Sequence, residues 1–134
     1  VIHRSPKTGI ELSFHKRLKP LNIECLTKEK HMTILAVTTW EGSVAGLQIL
    51  EVGAKQSAPL HESMGAKNPK LWRASAGGDI ERAYYSIEFD SHEAYGKFSD
   101  AMIASEWWAA TTEWMKANKD EIENMGTTIY YNVL

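Results

Sequence analysis

A chain of 134 residues is one domain's worth, enough to bury a core without disulfides or metal. Its formal net charge of -2 argues against bulk nucleic-acid binding, which needs a basic surface to neutralise phosphates. Cys25 is alone, which excludes an intramolecular disulfide and a cysteine-based zinc site, and it reads as a bystander thiol.

Residues 1–31 hold seven Lys/Arg and three Asp/Glu, so this segment is basic while the remainder is acidic. They show no sustained periodicity and carry Pro6 and Pro20, whereas Met32 opens a well-patterned sequence. The domain is therefore expected over 32–134, with 1–31 a peripheral extension, tag-like or read through from outside the native frame. The alternative is a basic arm for anionic partners. No pair of amphipathic helices precedes Met32, so a helix-turn-helix does not fit. No apolar run approaches a membrane span, the first thirty residues lack a signal-peptide core, and no Asn-x-Ser/Thr acceptor occurs. These readings lead to the expectation of a soluble, cytoplasmic protein.

Thr33 to Trp40 is rich in β-branched residues and reads as a first strand. Glu41-Gly42-Ser43 turns the chain and offers Ser43 as an N-cap. Val44, Leu47, Leu50, Ala54, Ala58 and His61 recur at helical spacing, predicting a helix to about Met64. Pro59 is expected to kink or interrupt it, and Gly65 to end it as a left-handed residue. Asn68 to Ala74 reads as a second strand, and Ser75 to Asp79 as the turn of a hairpin.

Ile80 to Phe89 then alternates strictly. Ala83, Tyr85, Ile87 and Phe89 share one face, and Arg82, Tyr84, Ser86 and Glu88 the other. Asp90 fits the N-cap of a second helix, with Glu93 completing a capping box. Tyr95, Phe98, Ala101 and Met102 keep helical spacing, and Trp107, Trp108, Thr111, Trp114 and Met115 extend the apolar content towards Asn118. Ser105 allows a break near Ala104 and a fresh start. Gly126 precedes Thr127 to Leu134, a last strand.

The order is βαββαβ, the split βαβ of an α+β, ferredoxin-like fold: an antiparallel sheet with two helices on one face. The opposite face, with Arg82, Tyr84, Ser86, Glu88, Tyr130 and Asn132, is too aromatic for a plain wet surface and too polar for a dry core. A second copy packed face to face explains it most simply.

The stretch from Tyr84 to Tyr95, with this element order and the Trp-bearing helix after it, resembles the dimeric α+β barrel superfamily. The likeness is to its antibiotic-biosynthesis-monooxygenase-like branch and the small uncharacterised relatives of that branch. It covers Met32 to Leu134 and rests on diffuse motifs that speak for fold. It implies homodimers whose sheets close a barrel and a hydrophobic cavity between sheet and helices. Relatives include cofactor-independent monooxygenases of phenols and quinols, haem-degrading enzymes, lactone isomerases and non-enzymatic binders. Haem chemistry would need an axial histidine on the second long helix, and Glu93 to Asn118 has none.

No glycine-rich phosphate loop, no dense metal-ligand cluster and no nucleophile elbow is present in the sequence. His61, on the apolar stripe of the first helix, is the candidate catalytic residue: near neutrality it can take a proton from a phenol or an enolisable ketone. The other reading is a helix-end histidine that hydrogen-bonds locally and benefits from the negative end of the dipole. His92 reads as a solvated first-turn residue.

Tyr85, Phe98, Met102, Trp107 and Trp108 are the candidate pocket residues. The indoles either stack on a ligand or serve as ordinary core and dimer contacts. Trp107 and Trp108, being adjacent, are expected to face different surroundings. Tyr85 is core if its hydroxyl finds a partner and a pocket donor if it does not. Arg73 and Arg82 are expected to pair with Glu88.

Two functions follow as expectations. One is a cofactor-independent monooxygenase or isomerase acting on a small aromatic or enolisable compound, needing no metal or flavin. The other is a non-catalytic module holding an apolar ligand such as a fatty or aromatic molecule. In either case the expected partners are a small hydrophobic molecule and a second copy, with neither nucleic acid nor membrane.

Overall fold

The computed structural model of the protein describes residues 32–134. The expectations for the basic segment and Cys25 lie outside them. The elements run β1 (Ile34–Gly42), α1 (Val44–Ser63), β2 (Lys67–Arg73), β3 (Arg82–Phe89), α2 (His92–Ile103), α3 (Glu106–Ala117) and β4 (Ile122–Tyr131). The strands form one sheet in the order β2-β3-β1-β4, every neighbouring pair antiparallel. This is the ferredoxin-like βαββαβ order, with the second helical segment divided in two at Ala104.

Local chemistry accounts for the helix ends. Gly46 N–H donates to Ser43 Oγ over 3.0 Å at the start of α1. At its end Gly65 takes φ +105°, and Ala66 N–H and Gly65 N–H reach back to the carbonyls of His61 and Glu62. This pair of bonds is a Schellman closure. Ser105 starts α3 by accepting from Trp108 N–H, as its position in the sequence suggested.

The structure corrects four expectations. Pro59 lies inside a continuous α1: it is exposed, and helical hydrogen bonding carries on around its missing donor. Ser91, and not Asp90, caps α2, accepting from Ala94 N–H; Asp90 is held instead by Lys67 Nζ at 2.7 Å, and Glu93 makes no capping box. Gly126 does not precede the last strand but sits within it. At φ +108° it forms a bulge opposite Thr39 and Trp40, so that β4 begins at Ile122. Arg73 pairs with Glu51 and Arg82 with Glu41, on opposite faces of the sheet, and neither reaches Glu88.

The helix-facing side of the sheet buries two clusters. Ile34, Ala36, Ile87 and Phe89 pack with Phe98 of α2, while Trp40, Ala83 and Ile122 pack with Leu47 and Leu50 of α1. Tyr85 touches both. The other face carries Trp72 and Tyr130, about half exposed at 54% and 51%. Trp72 Nε1–H donates to the buried Ser86 Oγ at 2.9 Å.

Candidate functional site

Between the two clusters a cavity of about 390 Å³ opens under α1, α2 and α3. Each expected site residue, His61, Tyr85, Phe98, Met102, Trp107 and Trp108, lines it. The positions follow from the elements. Tyr85 rises from the inward face of β3, at the register position opposite Thr38 of β1. His61 lies in the last turn of α1, where the Schellman closure fixes its backbone carbonyl. Phe98 and Met102 lie one turn apart on α2, and the indoles come from α3.

His61 Nδ1 and Tyr85 Oη share a hydrogen bond of 2.8 Å. Tyr85 therefore has a partner and still faces the cavity, which unites the two alternatives open for it. His61 is 6% exposed, and its other nitrogen, Nε2, is buried with no hydrogen-bond partner. The rings of Phe98 and Trp107 stand edge-to-face against the imidazole, with centroids at 5.5 and 4.6 Å.

Burial lowers the His61 pKa from 6.5 to about 4, because an imidazolium would lose its hydration. This replaces the expectation of a group titrating near neutrality. Burial also pushes the Tyr85 hydroxyl well above its usual range, and the Glu62 carboxylate adds to the effect. Both partners are thus neutral at pH 7, able to donate and accept hydrogen bonds without carrying charge.

Trp107 and Trp108 do not separate as expected. Both line the cavity, their rings 6.2 Å apart and tilted by 38°, because indoles are long enough to lean to the same side. Trp107 Nε1–H donates to Ser57 Oγ of α1 at 2.9 Å, which ties α3 to α1 across the cavity. No residue of α3 is fully buried, although Trp107, Trp108, Trp114 and Met115 all contribute to the wall.

Sequence reading missed the strand-borne polar members, Thr38, Asn124 and Thr127. For Thr38 the signal was there: Ala36, Thr38 and Trp40 alternate onto the face that holds Tyr85. The bulge at Gly126 hid the others. Among the described residues no group of three His, Cys, Asp or Glu is placed to hold a metal ion. No helix among them is long and apolar enough to cross a membrane.

No family model and no curated protein matches the sequence. Solved structures do match. A dimeric ferredoxin-like protein from an uncultured marine organism superposes with a TM-score of 0.62 at 11% identity, covering 77% of this chain and 97% of that one. A proposed antibiotic biosynthesis monooxygenase from Bordetella bronchiseptica gives 0.56 at 18% identity, covering 77% and 99%. A NIPSNAP family protein of unknown function from Agrobacterium tumefaciens gives 0.57 at 14%, covering 76% and 89%. At such identities the likeness speaks for architecture, and the chain has the ferredoxin-like α+β fold that these proteins share.

Proposed function

We propose that the chain binds a small, flat, mostly apolar molecule between sheet and helices, and that His61 moves a proton on it. The observation that carries this reading is the His61–Tyr85 pair. A neutral imidazole is held at one nitrogen while the other has no partner, at the wall of an aromatic-lined cavity. Buried polar atoms are nearly always satisfied, so an orphaned nitrogen there suits a ligand's hydroxyl or carbonyl. The absence of any fully buried residue on α3 points the same way, since its indoles gain cover when a ring lies against them.

With Nδ1–H donating to Tyr85 Oη, Nε2 carries a lone pair and acts as the base. Nε2 is buried, so a phenol or enolisable ketone reaches it when the Trp107 ring that stands against the imidazole moves aside; it then gives up its proton and becomes electron-rich. In an isomerase the proton returns at another carbon. In a monooxygenase dioxygen is the oxidant. On a phenol the hydroxyl proton and the hydrogen of the attacked ring carbon leave with one oxygen atom as water, while the other oxygen stays on that carbon, giving a quinone. On an enolisable ketone the activated methylene carbon exchanges its two hydrogens for one oxygen in the same way. The substrate supplies the electrons, which requires no metal or flavin. Proposed monooxygenases among the structural neighbours favour this chemistry.

A second reading, a binding module without turnover, is favoured by the low pKa, which makes His61 a weak base. Calorimetric titration with 2-naphthol, oxygen uptake on phenolic substrates and deuterium exchange from solvent into enolisable ketones separate the two. Binding with turnover that His61→Ala removes supports the enzyme, and binding without turnover supports the module. Failure of every neutral aromatic to bind overturns both.

The outer sheet face, with Trp72 and Tyr130 half exposed and Leu35, Val37 and Tyr84 partly so, we assign to a second copy of the chain. The dimeric ferredoxin-like neighbour supports this assignment.

A further inference from the structure

We infer that the cavity's ligand is an uncharged, fused two-ring aromatic with a hydrogen-bonding group at each end, one for the His61–Tyr85 pair and one for Thr38 and Thr127. This rests on the reading of the cavity as a small-molecule site and names what that site selects.

The second polar end comes from the sheet register. Thr38 of β1 lies directly between Tyr85 of β3 and Thr127 of β4, so the three form one row on the helix-facing side. All three line the cavity, Tyr85 and Thr38 half-buried and Thr127 exposed. Thr38 Oγ1 and Thr127 Oγ1 are 2.8 Å apart and share a single hydrogen bond, which leaves one hydroxyl proton and several lone pairs for a ligand. Asn124, on the next inward position of β4, adds an amide whose oxygen already accepts from Gly126 N–H, leaving its NH₂ as a further donor. From Tyr85 to Thr127 the row spans two strand spacings, about 10 Å at the backbone. A span of that kind calls for a fused bicyclic frame between the two polar groups, with Trp107 and Trp108 of α3 to cover its face.

The lack of charge is as informative as the polar row. Among the described residues no Asp, Glu, Lys or Arg contributes to the lining, so nothing at the buried His61–Tyr85 end compensates a carboxylate, phosphate or ammonium. His61, kept neutral by burial, offers no cation in their place.

Calorimetry on the full chain at pH 7.5 with three ligands of matched shape tests this: 2,6-dihydroxynaphthalene, 2-naphthol and 6-hydroxy-2-naphthoate. The diol is expected to bind roughly 5- to 10-fold tighter than 2-naphthol, the worth of one added hydrogen bond. The naphthoate is expected to bind at least tenfold more weakly than the diol. Thr38→Val with Thr127→Val keeps shape and strand propensity; it should erase the diol's advantage over 2-naphthol. Equal binding of diol and 2-naphthol by the wild type overturns the second polar end, whatever the variant's fold. Preference for the naphthoate overturns the uncharged class. If none of the three binds, the reading of the cavity as an aromatic site fails, and this inference falls with it.

Discussion

Replacing His61 with Phe should remove a large part of the protein's pH-dependent stability between pH 7 and pH 5. Folded His61 titrates at about 4 against an ordinary 6.5, so in this window the unfolded chain binds a proton that the folded chain refuses. Stability therefore rises with pH through the window and is lost on acidification. Fully developed, the difference is worth about 3.4 kcal/mol, at about 1.36 kcal/mol per pH unit. Integrated from pH 7 to pH 5 it comes to about 1.8 kcal/mol. With a urea m-value of about 1.5 kcal/mol/M for a domain of this size, the wild-type midpoint should fall by about 1.2 M from this residue alone.

The assay is urea unfolding at pH 5, 6 and 7 for wild type and His61→Phe. Every other residue is common to both proteins, so the remaining pH dependence cancels in the comparison. The Tyr85 hydroxyl orphaned by the substitution lowers the variant's stability by a similar amount at each pH, so it does not alter the slope. A variant that acidifies along the same slope as the wild type would refute the argument. It would mean that folded His61 protonates near its ordinary pKa, with the imidazolium donating to Tyr85.

His61→Ala should cut turnover by roughly 100-fold on any substrate found, as loss of a positioned acid/base does. The wild-type rate should be flat from pH 6 to 8, since the neutral form dominates above about 4; a rate rising through pH 6.5 would contradict the burial argument. Gly46→Ala should destabilise although alanine is the better helix former, because its methyl group would meet the backbone carbonyl of Glu121. A loss of about 1–3 kcal/mol, read as a lower melting temperature, is expected, and a rise would show that this contact relaxes freely. Trp72→Glu, on the outer sheet face, should shift sedimentation towards the monomer while leaving the far-ultraviolet spectrum intact; an unchanged oligomeric state would remove that face from the dimer.

The fold was legible where one local signal decides an element. The alternation of Ala83, Tyr85, Ile87 and Phe89 sets the inward face of β3, and Ser43, Gly65 and Ser105 mark helix ends by chemistry that needs no tertiary context. It was less legible where two neighbours compete for one role. Asp90 and Ser91 are both good caps, and what decides is that Lys67, distant in sequence, takes the carboxylate. Gly126 reads from the sequence as the residue before the strand, and only the pairing with β1 places it at a bulge inside β4.

The candidate site divides in the same way. Helical spacing pointed to His61, Phe98 and Met102, and composition pointed to the indoles. The hydrogen bond from His61 to Tyr85, 24 residues further on, depends on how α1 is laid over β3 and has no trace in local pattern. Arg73 and Arg82 illustrate the same limit. Their partners Glu51 and Glu41 are set by which face of the sheet each arginine occupies.

The burial that keeps His61 neutral also bears on which chemistry the cavity suits. A histidine with a pKa of about 4 takes a proton reluctantly and holds it briefly, so an imidazolium is a transient species. A reaction that stores charge on the enzyme between steps is poorly served by such a group. A reaction that hands the proton on at once is well served. In isomerisation the same proton returns to the substrate, and in oxygenation it leaves with water, and both end with His61 neutral. Tyr85, with its hydroxyl pKa raised, stays protonated throughout and keeps the imidazole oriented without competing for the proton. A neutral pair facing an uncharged, aromatic-walled cavity is therefore matched to substrates that enter and leave without charge and bear it only while bound.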